Sequence, residues 1–438
     1  MNQMKFLFWS AFILILARFT FSGIWVPLQT ENIEQVWEEF APLKVHLQTG
    51  QPIEISNPRQ YGPVFFLICE PLWFFSGYQK TVFANYLFYL GVLSFATACI
   101  FFFKTLRASF PGFWPLSSDK LSSIFFPALL ITWVGSSPIL YILNVKNVES
   151  WELALISLAL YFRLKNVFWL CGFFIALATL IKILPIVFLF YFLLCDRKSF
   201  FYSFLFLLGM MIAFSFYYGP QMGLLYPLLI TKASLGNTWG AFHMENLSLK
   251  GYVLKLFFNW KVSTNSLLVT TPLMEKTALF WAHALQILGG FFWLFILLKK
   301  RVLFLNVRWS LPWEWAWVCM GILVFSPQTA FEYATISQGA FSFCCALWIL
   351  LPYLRSPIFS FFLFSGIFLV LNIMPRSVVN KGFFISYLND LLGNQHLTAS
   401  EGYQLYGFPL FGFIAFMLFL IAAKLKVLKE RAHLLQSG

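Results

Sequence analysis

The sequence predicts an all-α polytopic membrane protein, a bundle of about twelve transmembrane helices. Three observations lead there. First, 60% of the 438 residues are hydrophobic and 11% are charged, whereas a soluble domain runs about 45–50% apolar and about 25% charged. Second, the apolar residues come in blocks, many of them near the ~20 residues that a helix needs to cross a bilayer. Third, the 30 Lys and Arg outnumber the 17 Asp and Glu and stand between those blocks. That spacing is the signal of basic cytoplasmic loops, not of a nucleic-acid surface.

Residues 6–28 follow Lys5. They are too long for a signal-peptide core and lack a small-x-small cleavage site, so they read as a retained first span with the N-terminus in the cytoplasm. Clear spans follow at 80–103, 121–143, 199–218, 277–298, 333–353, 357–373 and 407–424, with a shorter one at 312–326. The stretch 150–195 is interrupted by Arg163-Leu164-Lys165 and by Lys182 with Pro185. It divides into three short helices, 150–163, 166–181 and 183–195.

The segment "NPRQYGPVFFLICEPLW", residues 57–73, has an apolar core too short to cross comfortably and holds three prolines. If residues 61–77 lie along the outer surface, both termini and nearly all basic loops fall on the cytoplasmic side. If they crossed, the basic loops that follow would change sides. The segment therefore reads as an interfacial amphipathic helix, with Trp73, Phe74 and Phe75 suited to the boundary. Three outer loops result, 29–79, 219–276 and 374–406, and they hold most of the acidic residues. The chain reads as a single domain over 1–438 in the cell (inner) membrane.

The seven cysteines lie in or beside apolar stretches without CxxC spacing, and the five histidines are scattered. Neither a disulfide framework nor a metal site is expected, and no cofactor is expected.

Glu31, Glu34, Glu38 and Glu39 crowd the first outer loop. Glu34 and Glu38 share a helix face, so their repulsion must be offset. Either they are solvated acids on the positive end of a helix dipole, or one is a base that deprotonates a hydroxyl. Lys182, between apolar half-helices in "LIKILPIVF", either snorkels or faces a cavity as a point charge for an anion. Arg18 lies near the middle of its span and should meet either an acid or an anionic ligand. The stretches "HMENLSLKGY" (243–252) and "FSPQTAFEY" (325–333) read as loop caps or as parts of a site that would include Glu332.

Taken in order, several short patterns resemble one family. They are Gly50-Gln51-Pro52, Tyr61-Gly62-Pro63, Lys182-Ile183-Leu184-Pro185, Asn246-Leu247-Ser248-Leu249-Lys250-Gly251 and Ser326-Pro327. The set is similar to the polyprenol-phosphate-mannose-dependent mannosyltransferases, glycosyltransferase family 87, of the GT-C fold class, and covers residues 1 to about 335. Two positions depart from the family pattern. Its first-loop aspartate falls on Val36, with Glu34, Glu38 and Glu39 around it, and its histidine after Ser-Pro is replaced in that neighbourhood by Glu332.

The resemblance implies a GT-C-like bundle with juxtamembrane helices in the first outer loop, an active site on the outer face and a catalytic half over 1–218. It implies a hexose, mannose by analogy, carried on polyprenyl phosphate and passed to a membrane-bound acceptor, a hydroxyl of an envelope glycolipid or glycan. Glu34, Glu38 or Glu39 would be the base, Lys182 and Arg18 would hold the donor phosphate, and Arg59, Tyr61, Asn246, Ser248 and Glu332 would line the site. Two alternatives stay open at this point. A transporter or flippase would use Arg18 and Lys182 on broken helices, and a structural subunit would carry no chemistry.

Overall fold

The structure is a computed structural model that describes residues 34–55, 61–110, 142–143, 147–236, 242–244, 246–263, 267–270, 272–305, 307–326, 331–367, 369, 383–394, 396–397 and 399–436. The expected span 6–28 with Arg18, nearly all of the span 121–143, Arg59 and Pro327 lie outside the described residues, as do the side chains of Glu34, Glu39 and Glu332. The described residues are almost entirely helical, with two isolated bridges, His243 to Leu267 and Val262 to Leu268.

Two compact units divide the chain, Met1–Gly236 and Asn237–Gly438. The first holds α1 (Glu34–Thr49), α2 (Pro63–Phe75), α3 (Lys80–Ser109), α4 (Glu149–Leu164), α5 (Phe168–Ile181), α6 (Val187–Cys195), α7 (Arg197–Tyr217) and α8 (Tyr226–Gly236). α4 packs between α3 and α5, and α5 packs in turn on α7. The three short helices expected in 150–195 are α4, α5 and α6, separated where the charges and Pro185 stand. At the turn from α4 to α5, Arg163 donates to Asp196, which also accepts the Ser199 hydroxyl at 2.7 Å and so fixes the start of α7.

α2 is 13 residues long, which at 1.5 Å per residue is about 20 Å, against a hydrocarbon core of about 30 Å. As a helix it falls short of that thickness by itself. Pro63 stands in its first turn, where a missing N–H costs nothing. α1 lies on α2. Trp37 and Phe40 meet Trp73 with ring centroids 5.3 and 5.4 Å apart, and Phe40 meets Phe83 at 4.7 Å. The Lys44 ammonium lies 4.5 Å from the Trp37 ring. α1 ends at Gly50, whose φ of +68° is the left-handed conformation that closes helices, and whose N–H bonds to the His46 carbonyl at 2.8 Å.

The second unit holds α9 (Leu249–Phe257), α10 (Pro272–Leu298), α11 (Arg301–Leu305), α12 (Ser310–Phe325), a 3₁₀ turn (Phe331–Ser337), α13 (Gln338–Leu350), α14 (Pro357–Gly366), α15 (Phe383–Leu391), α16 (Ala399–Leu405) and α17 (Phe408–Gln436). The Arg301 guanidinium grips the buried Glu314 carboxylate through two bonds of 2.6 and 3.1 Å. The Lys424 ammonium lies over Trp313 and donates to the Ile296 and Leu297 carbonyls at 2.7 and 3.1 Å, which caps the end of α10. The second and third expected outer loops share one small core. Phe242, Met244, Leu254 and Val262 of one pack with Ile385, Leu405 and Tyr406 of the other, as a common side requires.

Among the described residues, four helices are long and apolar enough to cross a membrane: Lys80–Ser109, Arg197–Tyr217, Met274–Leu298 and Phe408–Glu430. The chain is an all-α polytopic membrane protein. The expected span 333–353 begins as a 3₁₀ turn, and α17 runs well past the apolar block 407–424, helped by the Lys426–Glu430 pair at i, i+4. The fold makes a topology prediction. Single cysteines replacing Glu54 and Gln79, at the two ends of the α2 segment, should label from one side of the membrane, and a cysteine replacing Arg107 should label from the other. Accessibility labelling in intact cells and inverted vesicles checks it.

Candidate functional site in the first unit

Pro185 is the local cause of the site. It has no N–H, so the carbonyl four residues earlier, that of Ile181, receives no helical hydrogen bond from it. The Gly62 N–H occupies that carbonyl at 2.8 Å. Only glycine fits there, because a Cβ on residue 62 would sit 2.1 Å from the Leu180 oxygen. Two of the sequence patterns, Tyr61-Gly62-Pro63 and Lys182-Ile183-Leu184-Pro185, are thereby locked together.

Lys182 follows the break in extended backbone, with φ −150° and ψ 143°, and its side chain turns into the protein. It is 8% exposed. Its ammonium lies 2.5 Å from Glu149 Oε1 and 5.4 Å from the centre of the Tyr61 ring. Tyr61 packs on Phe65, and Phe65 on Trp151. The Tyr61 hydroxyl donates to Asn147 Oδ1, which also accepts the Val148 N–H at 2.9 Å. Glu149 and Glu152 stand in the first turn of α4, where the helix dipole favours negative charge. Both are fully buried. Of the expected site residues, the structure thus brings Lys182 and Tyr61 together.

Sequence reasoning missed Asn147, Glu149 and Glu152. Two acids three residues apart at the edge of an apolar stretch were the available signal. A lysine among apolar helices calls for a nearby acid, but Glu149 lies 33 residues away in the chain, and sequence spacing does not show that contact.

The first outer loop docks on the same unit. Glu34 opens α1, Glu38 on α1 is exposed, and Glu39 lies on the same helix. After Gly50 the chain returns to α7. The Ile53 N–H donates to the Tyr218 carbonyl at 2.8 Å and the Ile55 N–H to Gln221 Oε1 at 3.0 Å. Glu70 of α2 accepts the hydroxyls of Tyr217 and Tyr218 at 2.8 and 3.2 Å. α1, α2 and α7 are held as one layer by these bonds and by the His46 ring against Tyr218.

The remaining expected residues belong to the second unit. Asn246 Oδ1 accepts the Ser248 N–H at 3.1 Å and its hydroxyl at 2.8 Å, and Ser248 Oγ accepts the Gly251 N–H at 3.1 Å. The pattern N-x-S-x-x-G is therefore a helix cap in this chain, at the start of α9. Lys255 donates to the Asn246 and Gln404 carbonyls at 2.9 and 3.1 Å, and burial pushes the amine of Lys250 down. Ser326 ends α12 in extended backbone, and Glu332 lies on the 3₁₀ turn.

The buried ion pair makes a stability prediction. Lys182→Met alone leaves Glu149 charged and buried beside an apolar side chain, and should cost about 3–5 kcal/mol. The double variant Lys182→Met/Glu149→Leu removes both charges and should recover most of that loss. Thermal unfolding of the two purified proteins in detergent checks it.

No curated protein and no solved structure matches the chain. A family model does match, that of glycosyltransferase family 87, over residues 60–308. The match takes in Tyr61-Gly62-Pro63, the start of α4, the break at Lys182 and the cap at Asn246, and it favours a transferase over a transporter. It spans more than half of the sequence, and on that ground the chain belongs to glycosyltransferase family 87, as a membrane glycosyltransferase.

Proposed function

We propose that the protein moves a hexose, mannose by analogy with the family, from a polyprenyl-phosphate donor to a hydroxyl of an envelope glycolipid or glycan on the outer face of the cell membrane. The observation that carries this reading is Lys182, a buried ammonium at a helix break beside Tyr61. It is shielded from water, and a cation there attracts a phosphate more strongly than it would in water. The reaction is a single displacement. Glu34 takes the proton of the acceptor hydroxyl, with Glu38 and Glu39 as the second choices. The hydroxyl oxygen bonds to the anomeric carbon while the bond from that carbon to the phosphate oxygen breaks. The electron pair leaves with polyprenyl phosphate, whose charge Lys182 and Arg18 stabilise. The incoming phosphate competes with Glu149 for the ammonium. Arg59 and Tyr61 line the remainder of the site within the first unit. A phosphate held by basic side chains calls for no divalent metal, and the only co-substrate is the lipid-linked sugar.

Transfer is measured from polyprenyl-phosphate mannose to an envelope lipid extract. Removing a general base typically costs about 10²–10⁴ in rate, so Glu34→Gln should fall by that factor at unchanged expression. Lys182→Arg should keep part of the activity. Lys182→Met/Glu149→Leu should be folded and inactive. If Gln is tolerated at all four first-loop glutamates one at a time, the base is elsewhere. If the folded double variant transfers at the wild-type rate, the phosphate does not bind at Lys182.

A further inference from the structure

Within six residues at the start of α4, the structure holds polar atoms that are buried and unmatched. Among the described residues, Asn147 Nδ2, Glu149 Oε2, Trp151 Nε1 and both oxygens of Glu152 have no hydrogen-bond partner. Glu152 is 0% exposed, and Lys182 and Glu149 are close enough to act on its carboxyl group electrostatically. The i, i+3 spacing puts Glu149 and Glu152 on one face of the helix. An acidic pair at a helix start is common. An acidic pair whose second member finds no donor among the described residues is not, because buried polar groups are nearly always satisfied.

The chemistry of the unmatched atoms is mixed. Carboxylate oxygens accept, while the Asn147 amide and the Trp151 indole N–H donate. A phosphate offers acceptors only and so cannot satisfy carboxyl oxygens. Sugar hydroxyls both donate and accept, and two adjacent hydroxyls suit a carboxylate well. In a sugar phosphate those hydroxyls lie a few bonds from the phosphate oxygens. Lys182, which the proposed function gives to the phosphate, lies 2.5 Å from Glu149. Aromatic faces stand beside the cluster in Tyr61, Phe65 and Trp151.

We infer that the start of α4 binds the hexose of the donor, with Glu152 accepting its hydroxyls and setting which sugar is taken. This rests on the proposed function. A corollary separates it from a structural role. An unpartnered buried carboxylate destabilises the free chain, so replacing it with an apolar side chain of similar size should leave stability unchanged or raise it.

The test uses the full chain purified in detergent. Direct binding is measured for polyprenyl phosphate without sugar and for its mannose, glucose and galactose forms. Hydrogen bonds from the sugar hydroxyls to Glu152 are strong enough that the wild type should bind one sugar form about 10-fold or more tighter than the sugar-free lipid. Glu152→Met should bind all four lipids alike, keep the wild-type affinity for the sugar-free lipid and melt no lower than the wild type. Glu152→Gln, which keeps the shape, should lose most of the preference. If Glu152→Met is folded and keeps the preference, or if the wild type transfers a sugar yet binds all four lipids alike, the inference is overturned and the proposed function stands. If the wild type binds none of the four and transfers nothing, the proposed function falls and takes the inference with it.

Discussion

A lysine ammonium buried among apolar helices needs acceptors beside it, and the first unit is arranged to give Lys182 the Glu149 carboxylate. Lys182 is 8% exposed and its partner Glu149 is fully buried. The effective penalty for burying such charges is several kcal/mol per ion even after relaxation. The geometry must therefore be good, and three features make it so. The helix break puts Lys182 in extended backbone, so that its side chain leaves the axis of α5. The first turn of α4 supplies a carboxylate where the dipole already favours one. The Gly62 N–H takes the carbonyl that Pro185 leaves open. A Cβ at residue 62, a helix continued through 185, or a neutral residue at 149 would each undo one of the three.

The layer above depends on the same break. α2 starts at Pro63, directly after the glycine that is tied to α5. Its position is fixed at that end by one backbone bond and further along by Glu70 against Tyr217 and Tyr218. α1 then rests on α2 through aromatic edges, which give shape without demanding polar partners. A segment with three prolines, one arginine and one glutamate is strange as a span. It is reasonable as a short helix pinned at both ends, with its last aromatic residues, Phe74 and Phe75, left exposed.

Much of this was legible in the sequence. Apolar blocks and basic punctuation placed the described spans, and Pro185 with Lys182 marked the break, because these signals are local. The short helix α2 was legible from the length of its apolar core and its prolines. What could not be read was anything that depended on two distant segments meeting. Glu149 as the partner of Lys182 and the Gly62 contact with Leu180 are of this kind. So is the use of Asn246 and Ser248, where one pattern suits a site and a cap equally well. Only the bonds from Ser248 to Gly251 and from Asn246 to Ser248 show that these side chains cap a helix.

The carboxylates of the first unit fall into two sets, and their surroundings divide the labour between them. Glu38 on α1 is exposed, and a group in such a place can exchange its proton with water after every turnover, as a general base must. Glu149 is fully buried and ion-paired with Lys182. Buried carboxylates are better suited to holding position than to moving protons, since a low dielectric strengthens fixed interactions and penalises any change of charge. On the proposed reading, the acid set on α1 serves the acceptor and the set on α4 the donor. The two sets sit on helices linked through α2, which packs on both α1 and α5. A shift in the seating of α2 would move the proposed base relative to the phosphate site while leaving each set internally intact.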